Sequence, residues 1–222
     1  MLITFPLKQS LYPKTSRASD NNRDFLITEK LDGSNLAIFK LEDKIYVAQR
    51  NFIFRWEDVT PSDTIYKGLV GWMEEHHDHL LANMHNKSAI VGEWIGMGKI
   101  PYAGALEHRF YMFAKANVEL EEVNDDDGKL FEHKLVMKTI LYNRDLFIYP
   151  FVDQTIPDYI GLVPVVSVRK TIPTIKDLDS LYDELVEARP YTPEGFIVNL
   201  PDNRTVLKYV RHKNGKLVDH HS

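Results

Sequence analysis

The fold turns on seven residues, Glu29-Lys30-Leu31-Asp32-Gly33-Ser34-Asn35, lying between the apolar runs Phe25 to Thr28 and Asn35 to Leu41. Both runs are of strand type, and the Asp-Gly between them marks a tight turn. A lysine at the end of a strand beside such a turn holds an amine next to a sheet, and the glycine lets backbone come close to a ligand. The amine becomes a nucleophile only when its proton is lost, which desolvation or neighbouring positive charge promotes. A bound cation supplies such a charge. Lys-x-Asp-Gly alone is a weak signal: ordinary residue frequencies produce it by chance in about one chain in twenty. By itself it reads as a hairpin turn.

On either side of this stretch the pattern is strands with two or three helices. Lys44 to Gln49 follows Asn35 to Leu41 after a short acidic turn, which predicts a hairpin. Thr64 to Met84 reads as a helix, with Ile65, Leu69, Trp72, Met73 and Leu80 near helical spacing. Ala89 to Trp94 and Arg109 to Lys115 read as buried strands. Lys176 to Ala188 reads as a second helix, entered after Pro173 and stopped at Pro190. Gly195 to Leu200 and Thr205 to Val210 flank the turn Pro201-Asp202-Asn203-Arg204 and form a last hairpin. Leu130 to Leu141 is the least determined segment and is compatible with a helix. Hairpins mixed with helices mean an α+β fold, mainly antiparallel sheets with flanking helices. With no repeat and no linker, residues 1–222 are expected to form a single domain.

Composition narrows the chemistry. The chain has 222 residues, 44% of them hydrophobic and 27% charged, which is ordinary for a globular protein and argues against wholesale disorder. It has no cysteine, which excludes disulfides, thiol nucleophiles and thiolate metal sites. No apolar run is long enough to cross a bilayer, and Met1 to Lys14 has no signal-peptide pattern, so the expectation is a cytoplasmic protein without membrane partners. Lys plus Arg number 27 against 32 Asp plus Glu, a formal charge of −5. That balance neither suggests nor excludes nucleic acid, because phosphate binding depends on where cations cluster. Glu119 to Asp127 is an acidic stretch whose plain reading is an exposed turn.

Four further stretches follow the lysine in order, each on or beside an expected strand: Val91-Gly92-Glu93-Trp94, Phe110-Tyr111-Met112-Phe113, Pro193-Glu194-Gly195-Phe196-Ile197-Val198 and Val206-Leu207-Lys208-Tyr209-Val210. Together the five resemble the motifs of the covalent nucleotidyltransferases, the polynucleotide ligases and capping enzymes. The likeness is greatest to the RNA ligase 2-like branch, which includes phage RNA ligases and editing ligases. It runs from about Phe25 to Val210 and implies the ATP-dependent ligase, or adenylyltransferase, core fold.

The resemblance implies an ATP-dependent RNA ligase working through a lysyl-AMP on Lys30. The AMP would pass to a 5′-phosphate on RNA, and a 3′-hydroxyl would displace it. ATP and Mg²⁺ (or Mn²⁺) are the implied cofactors. Glu194 would hold the metal and Glu93 a ribose hydroxyl, since magnesium needs only one or two carboxylates besides water and phosphate. Lys208 would face the α-phosphate and Phe113 would stack on adenine. Arg50 matches a family arginine, and a guanidinium fork suits phosphate or ribose oxygens. Asn35, with Ser34, matches the polar pair after the lysine. Glu29 would contact the adenine amine, through its side chain or through backbone alone.

The chain departs from the family pattern at Val210, where a second lysine is expected. Arg211 or Lys213 is a candidate RNA or phosphate contact in its place; alternatively Arg211-His212-Lys213 is the true motif and Lys208 is structural. Lys208 is preferred, because a strand residue is held more rigidly than a loop residue. The family's OB-fold or C-terminal RNA-binding domain is not expected here, so an accessory RNA-binding protein is a candidate partner beside RNA itself. The lean composition suits a phage-like RNA-repair enzyme acting in a host cytoplasm. The alternatives are a DNA ligase or another nucleotidyltransferase with the same covalent chemistry, or an RNA- or nucleotide-binding relic without turnover. His76 and His79 share a helix face but lack an evident third zinc ligand, so a solvated helix end is the better reading. Gly92, Gly96 and Gly98 lack the Lys-Ser/Thr of a P-loop.

Overall fold

The apolar runs become strands, and the computed structural model describes them within residues 24–49, 52–60, 63–102, 104–124, 130–142, 149–213 and 216–217. In chain order the strands are β1 (Phe25–Lys30), β2 (Ser34–Leu41), β3 (Lys44–Ala48), β4 (Ile53–Arg55), β5 (Ser88–Trp94), β6 (Phe110–Asn124), β7 (Leu130–Leu141), β8 (Gly161–Leu162), β9 (Val165–Arg169), β10 (Gly195–Asn199), β11 (Val206–Val210), β12 (His212–Lys213) and β13 (Lys216–Leu217). Among the described residues the helices are α1 (Leu69–Asn83) and α2 (Ile175–Ala188), with a 3-10 turn at Trp56–Asp58. The fold is α+β and mostly antiparallel. It divides into two compact units: Asn35–Gly92 with Ala114–Pro157, and the described part of Leu11–Ser34 with Glu93–Phe113 and Asp158–Ser222.

The first unit is built on strands in the order β4-β3-β2-β5-β6-β7. Its β2–β3 hairpin forms as expected, with Leu41 opposite Lys44 and the turn residues Glu42 and Asp43 both at positive φ. Helix α1 buries Leu69, Trp72, Met73 and Leu80. It begins at Leu69 rather than Thr64, because Lys67 and Gly68 form a turn and Gly68, at φ +80°, stands at the N-cap. The Leu69 N–H donates to the Tyr66 carbonyl (2.9 Å) and the Tyr66 hydroxyl to the Asn35 carbonyl (3.1 Å).

One open reading is settled in this unit and one expectation is corrected. Leu130–Leu141 is a strand and not a helix: it pairs antiparallel with β6, placing Met137 opposite Val118 and Leu135 opposite Leu120. Burial alternates along Leu135, Val136, Met137 and Lys138, and the pairing partner settles what a short apolar pattern leaves ambiguous. The acidic stretch is likewise strand as far as Asn124, with Lys138 of β7 paired to Glu119 (3.0 Å) and Glu121 (2.6 Å). These pairs are exposed, so they add little stability. Asp125, Asp126 and Asp127 lie outside the described residues.

The second unit has a four-stranded sheet in the order β11-β10-β1-β9. Ile27 pairs with Val198 and Lys30 with Gly195, while Gly195 pairs with Val210 and Ile197 with Lys208. Helix α2 covers one face of this sheet. Leu178, Leu181, Tyr182 and Leu185, at i, i+3, i+4 and i+7, pack on Phe25, Ile27, Phe196, Val198 and Tyr209. Its start is set by a capping box between Thr174 and Asp177, so the helix begins at Ile175, one residue before the expected Lys176. A parallel pairing of Tyr111 with Gly161 and of Met112 with Leu162 completes the unit.

Candidate active site

Side chains alternate between the faces of a strand, so the register of the four-stranded sheet sorts its residues. Phe25, Ile27, Phe196, Val198 and Tyr209 face α2. Lys30, Ile197, Lys208 and Val210 therefore share the opposite face. Here Lys30 ends β1, and its ladder partner Gly195 has φ +152°, with no room for a Cβ, which would sit 2.0 Å from the Tyr209 carbonyl oxygen. No other residue fits at 195, so the position opposite the lysine carries no side chain.

The Lys30 amine donates to Glu194 Oε2, a short pair with both side chains largely withdrawn from water. Glu93, at the end of β5, enters through the turn after the lysine: the Gly33 N–H donates to its Oε1 at 3.1 Å. Gly33 is required by this approach, because a Cβ would lie 2.3 Å from the Trp94 carbonyl oxygen and 2.9 Å from Glu93 Cγ. Burial pushes the Glu93 carboxyl up to about 7 against the pull of the Lys30 charge and the Gly33 N–H, with Glu194 and Asp32 adding to the rise. Three carboxylates and one amine thus gather around a single turn.

The other expected residues fall into place unequally. Lys208 is exposed on the Lys30 face, and Val210 stands where its strand partner in a Lys-x-Lys pair would stand. The Arg211 guanidinium lies 3.8 Å from Asp179 of α2, while the Arg211 backbone N–H donates to the Glu194 carbonyl. For Lys213 the structure describes backbone paired with Lys216; its side chain lies outside the described residues. Phe113 is partly buried against a cluster of Leu31, Ile95, Tyr102, Tyr111, Val163 and Tyr191. Asn35 belongs to the first unit, with its side-chain oxygen buried and unpaired among the described residues. Arg50 lies outside the described residues.

Glu29 faces away from Lys30, as its neighbour in a strand must. Its fully buried carboxylate accepts from Tyr191 Oη (2.7 Å) and from Arg189 Nε and Nη2 (3.1 Å each). A side-chain contact to adenine would have to compete with these three bonds, whereas a backbone contact would not. Tyr102, Arg189, Tyr191 and the structural use of Asp32 had no signal in the sequence reading, although Tyr191 lies three residues before Glu194. Among the described residues no cluster of three or more His, Asp or Glu forms a metal cage, on α1 or elsewhere. Nor is any described helix long and apolar enough to cross a membrane.

Comparison with known proteins follows the same outline. The RNA ligase family profile matches residues 23–210. No curated protein matches the chain. Two solved structures of substituted forms of a Naegleria gruberi RNA ligase are similar, one with ATP and Mn and one apo. Each has a TM-score of 0.50 and 18% identity, covering 90% of this chain and 56% of the other. That likeness is one of fold, and this chain spans little more than half the length of the ligases it resembles.

Proposed function

The chain belongs to the RNA ligase family, and from that premise we propose that it is an ATP-dependent RNA ligase that forms a lysyl-AMP on Lys30. The observation that carries the reading is the meeting of Lys30, Glu194 and Glu93 at one turn, with Lys208 on the same sheet face. Lys30 Nζ, once deprotonated, attacks the α-phosphorus of ATP. An N–P bond forms, the P–O bond to pyrophosphate breaks, and AMP remains on the amine. The AMP then passes to an RNA 5′-phosphate, and a 3′-hydroxyl displaces it to close the phosphodiester.

Each step is in-line displacement at phosphorus, where positioning and charge neutralisation contribute most of the rate. Glu194 holds the amine in place until their pair opens. Lys208 meets the negative charge that develops on the α-phosphate. Phe113 offers adenine an apolar face, and Glu93 offers the ribose an acceptor. The family also implies a divalent ion. The donor set fits Mg²⁺ or Mn²⁺, since Glu194 supplies a hard oxygen donor and the rest of the shell falls to water and phosphate. When bound it supplies positive charge beside the amine and the phosphates. The relief of repulsion between Glu93 and Glu194 is a second reason for a cation here.

The test is incubation with ATP labelled at the α-phosphate and magnesium. The expected result is acid-stable label on the protein, lost in Lys30→Ala. No label on the wild-type chain, or full label on Lys30→Ala, ends this reading. Exchanging GTP for ATP and nicked DNA for RNA in the same gel separates the other covalent nucleotidyltransferases. A partner that supplies RNA grip is called for if adenylylation is normal and sealing fails.

A further inference from the structure

The β1 ladder stops at Lys30, and the next residues, Leu31 to Gly33, leave the sheet. Nothing in the strand pairing therefore fixes the chain beyond the nucleophile, and the amine's placement depends on what holds its neighbours. Two tyrosines do so from opposite sides. Tyr191 Oη donates to Glu29 Oε1 at 2.7 Å, one residue before Lys30. Tyr102 Oη accepts from the Asp32 N–H at 2.6 Å, two residues after it. The two rings touch edge to face, with centroids 4.7 Å apart and planes at 78°.

Each tether is reinforced at its far end. Arg189, at the C-cap of α2, grips the other Glu29 oxygen through two nitrogens, tying the strand to the helix that covers its back. The Asp32 carboxylate accepts the N–H groups of Lys99 (2.6 Å) and Ile100 (2.9 Å), tying the turn to the loop that carries Tyr102. We infer that Tyr191, Arg189 and Tyr102 are positioning residues for Lys30, a clamp that acts through Glu29 and Asp32. None of their side chains bonds to Lys30 itself, so the clamp sets the amine's geometry and not its chemistry.

The physical reason is the sensitivity of displacement to alignment: small misplacement of a reacting atom costs large factors in rate. Glu29 is suited to an anchor because a buried carboxylate is stable only when its acceptor capacity is met. Burial, and then the bond to Glu29, hold the Tyr191 phenol above its usual range, so it serves as the donor. Burial does the same for Tyr102. This account and a Glu29 contact to adenine predict different behaviour. An adenine contact would make Glu29 act alone and set nucleotide choice; an anchor makes Glu29 and Tyr191 act as a unit.

The inference rests on the lysyl-AMP reading, and the experiment separates the two. Single-turnover adenylylation of the full chain is followed across ATP concentrations for wild type, Tyr191→Phe, Glu29→Gln and the double variant, with melting curves for each. The limiting rate is expected to fall at least tenfold in both single variants, with half-saturating ATP within twofold of wild type. The double variant should lose no more than the worse single one, because both loosen the same Glu29 anchor. Tyr102→Phe should show the same split between rate and affinity. Wild-type limiting rates, a loss carried by half-saturating ATP, or losses that multiply in the double variant would overturn the clamp. Should Glu29→Gln fail to fold, Arg189→Lys with Tyr191→Phe gives the same cycle. A wild-type chain that takes up no label ends the ligase reading and this inference together; a labelled wild type with unimpaired variants ends this inference alone.

Discussion

The two faces of the four-stranded sheet share the same strands and the same ladder, yet they obey different rules. The α2 face is Phe25, Ile27, Phe196, Val198 and Tyr209 under four helix side chains, a close-packed apolar layer. The Lys30 face carries an ion pair, a carboxyl pushed up to about 7 and an exposed lysine. The first face holds the second in place. One-residue alternation separates stability from chemistry so cleanly that neighbours such as Glu29 and Lys30 have unrelated partners. Substitutions in the apolar layer under α2 should therefore act on unfolding, and those on the Lys30 face on adenylylation.

The largest expected effect lies on the packed face. Phe196→Ala leaves a cavity under α2 and should cost about 3–5 kcal/mol of stability, read by denaturant unfolding. If its midpoint stays at the wild-type value, the layer does not carry the fold. Across the sheet, Lys208→Ala should lower the adenylylation rate about 100-fold while its melting temperature stays near wild type. A destabilised but fully active Lys208→Ala would reverse the assignment of faces.

Glu93 tests the boundary between the two roles. Its carboxyl is raised in the folded chain from 4.5 to about 7, so the folded state keeps a proton that the unfolded chain gives up. Its stabilising contribution is therefore present below about 4.5 and is lost as the pH climbs to about 7. Comparing melting temperatures of wild type and Glu93→Gln across that window should show wild type falling relative to the variant. A constant difference would mean the carboxyl is not buried as described. The smallest effect belongs to the helix cap: Thr174→Ala should cost about 1 kcal/mol and leave adenylylation untouched, measured by the same unfolding and labelling assays.

Much of this was legible in the residues. The strand runs, the β2–β3 hairpin, the last hairpin and α2 follow from apolar spacing and turn chemistry, and the family pattern marked Lys30, Glu93 and Glu194, which the fold brings to one turn. The differences have physical causes. The 64–68 segment has helical spacing, but Lys67 and Gly68 form a turn and its tyrosine is used on Asn35. The apolar residues of Leu130 to Leu141 fall in no clean period of two or 3.6, and its pairing with β6 makes it a strand.

Sequence alone determined which residues are candidates for the proposed chemistry and in what order they occur, because local pattern and residue type are written in the chain. Tertiary structure alone decided which face each side chain takes. It turned Glu29 away from Lys30 to meet Arg189 and Tyr191, and it placed Tyr102 on Asp32. Those contacts join residues 70 and 162 positions apart. They arise from strand register and burial, and nothing in the residues beside them announces the partner.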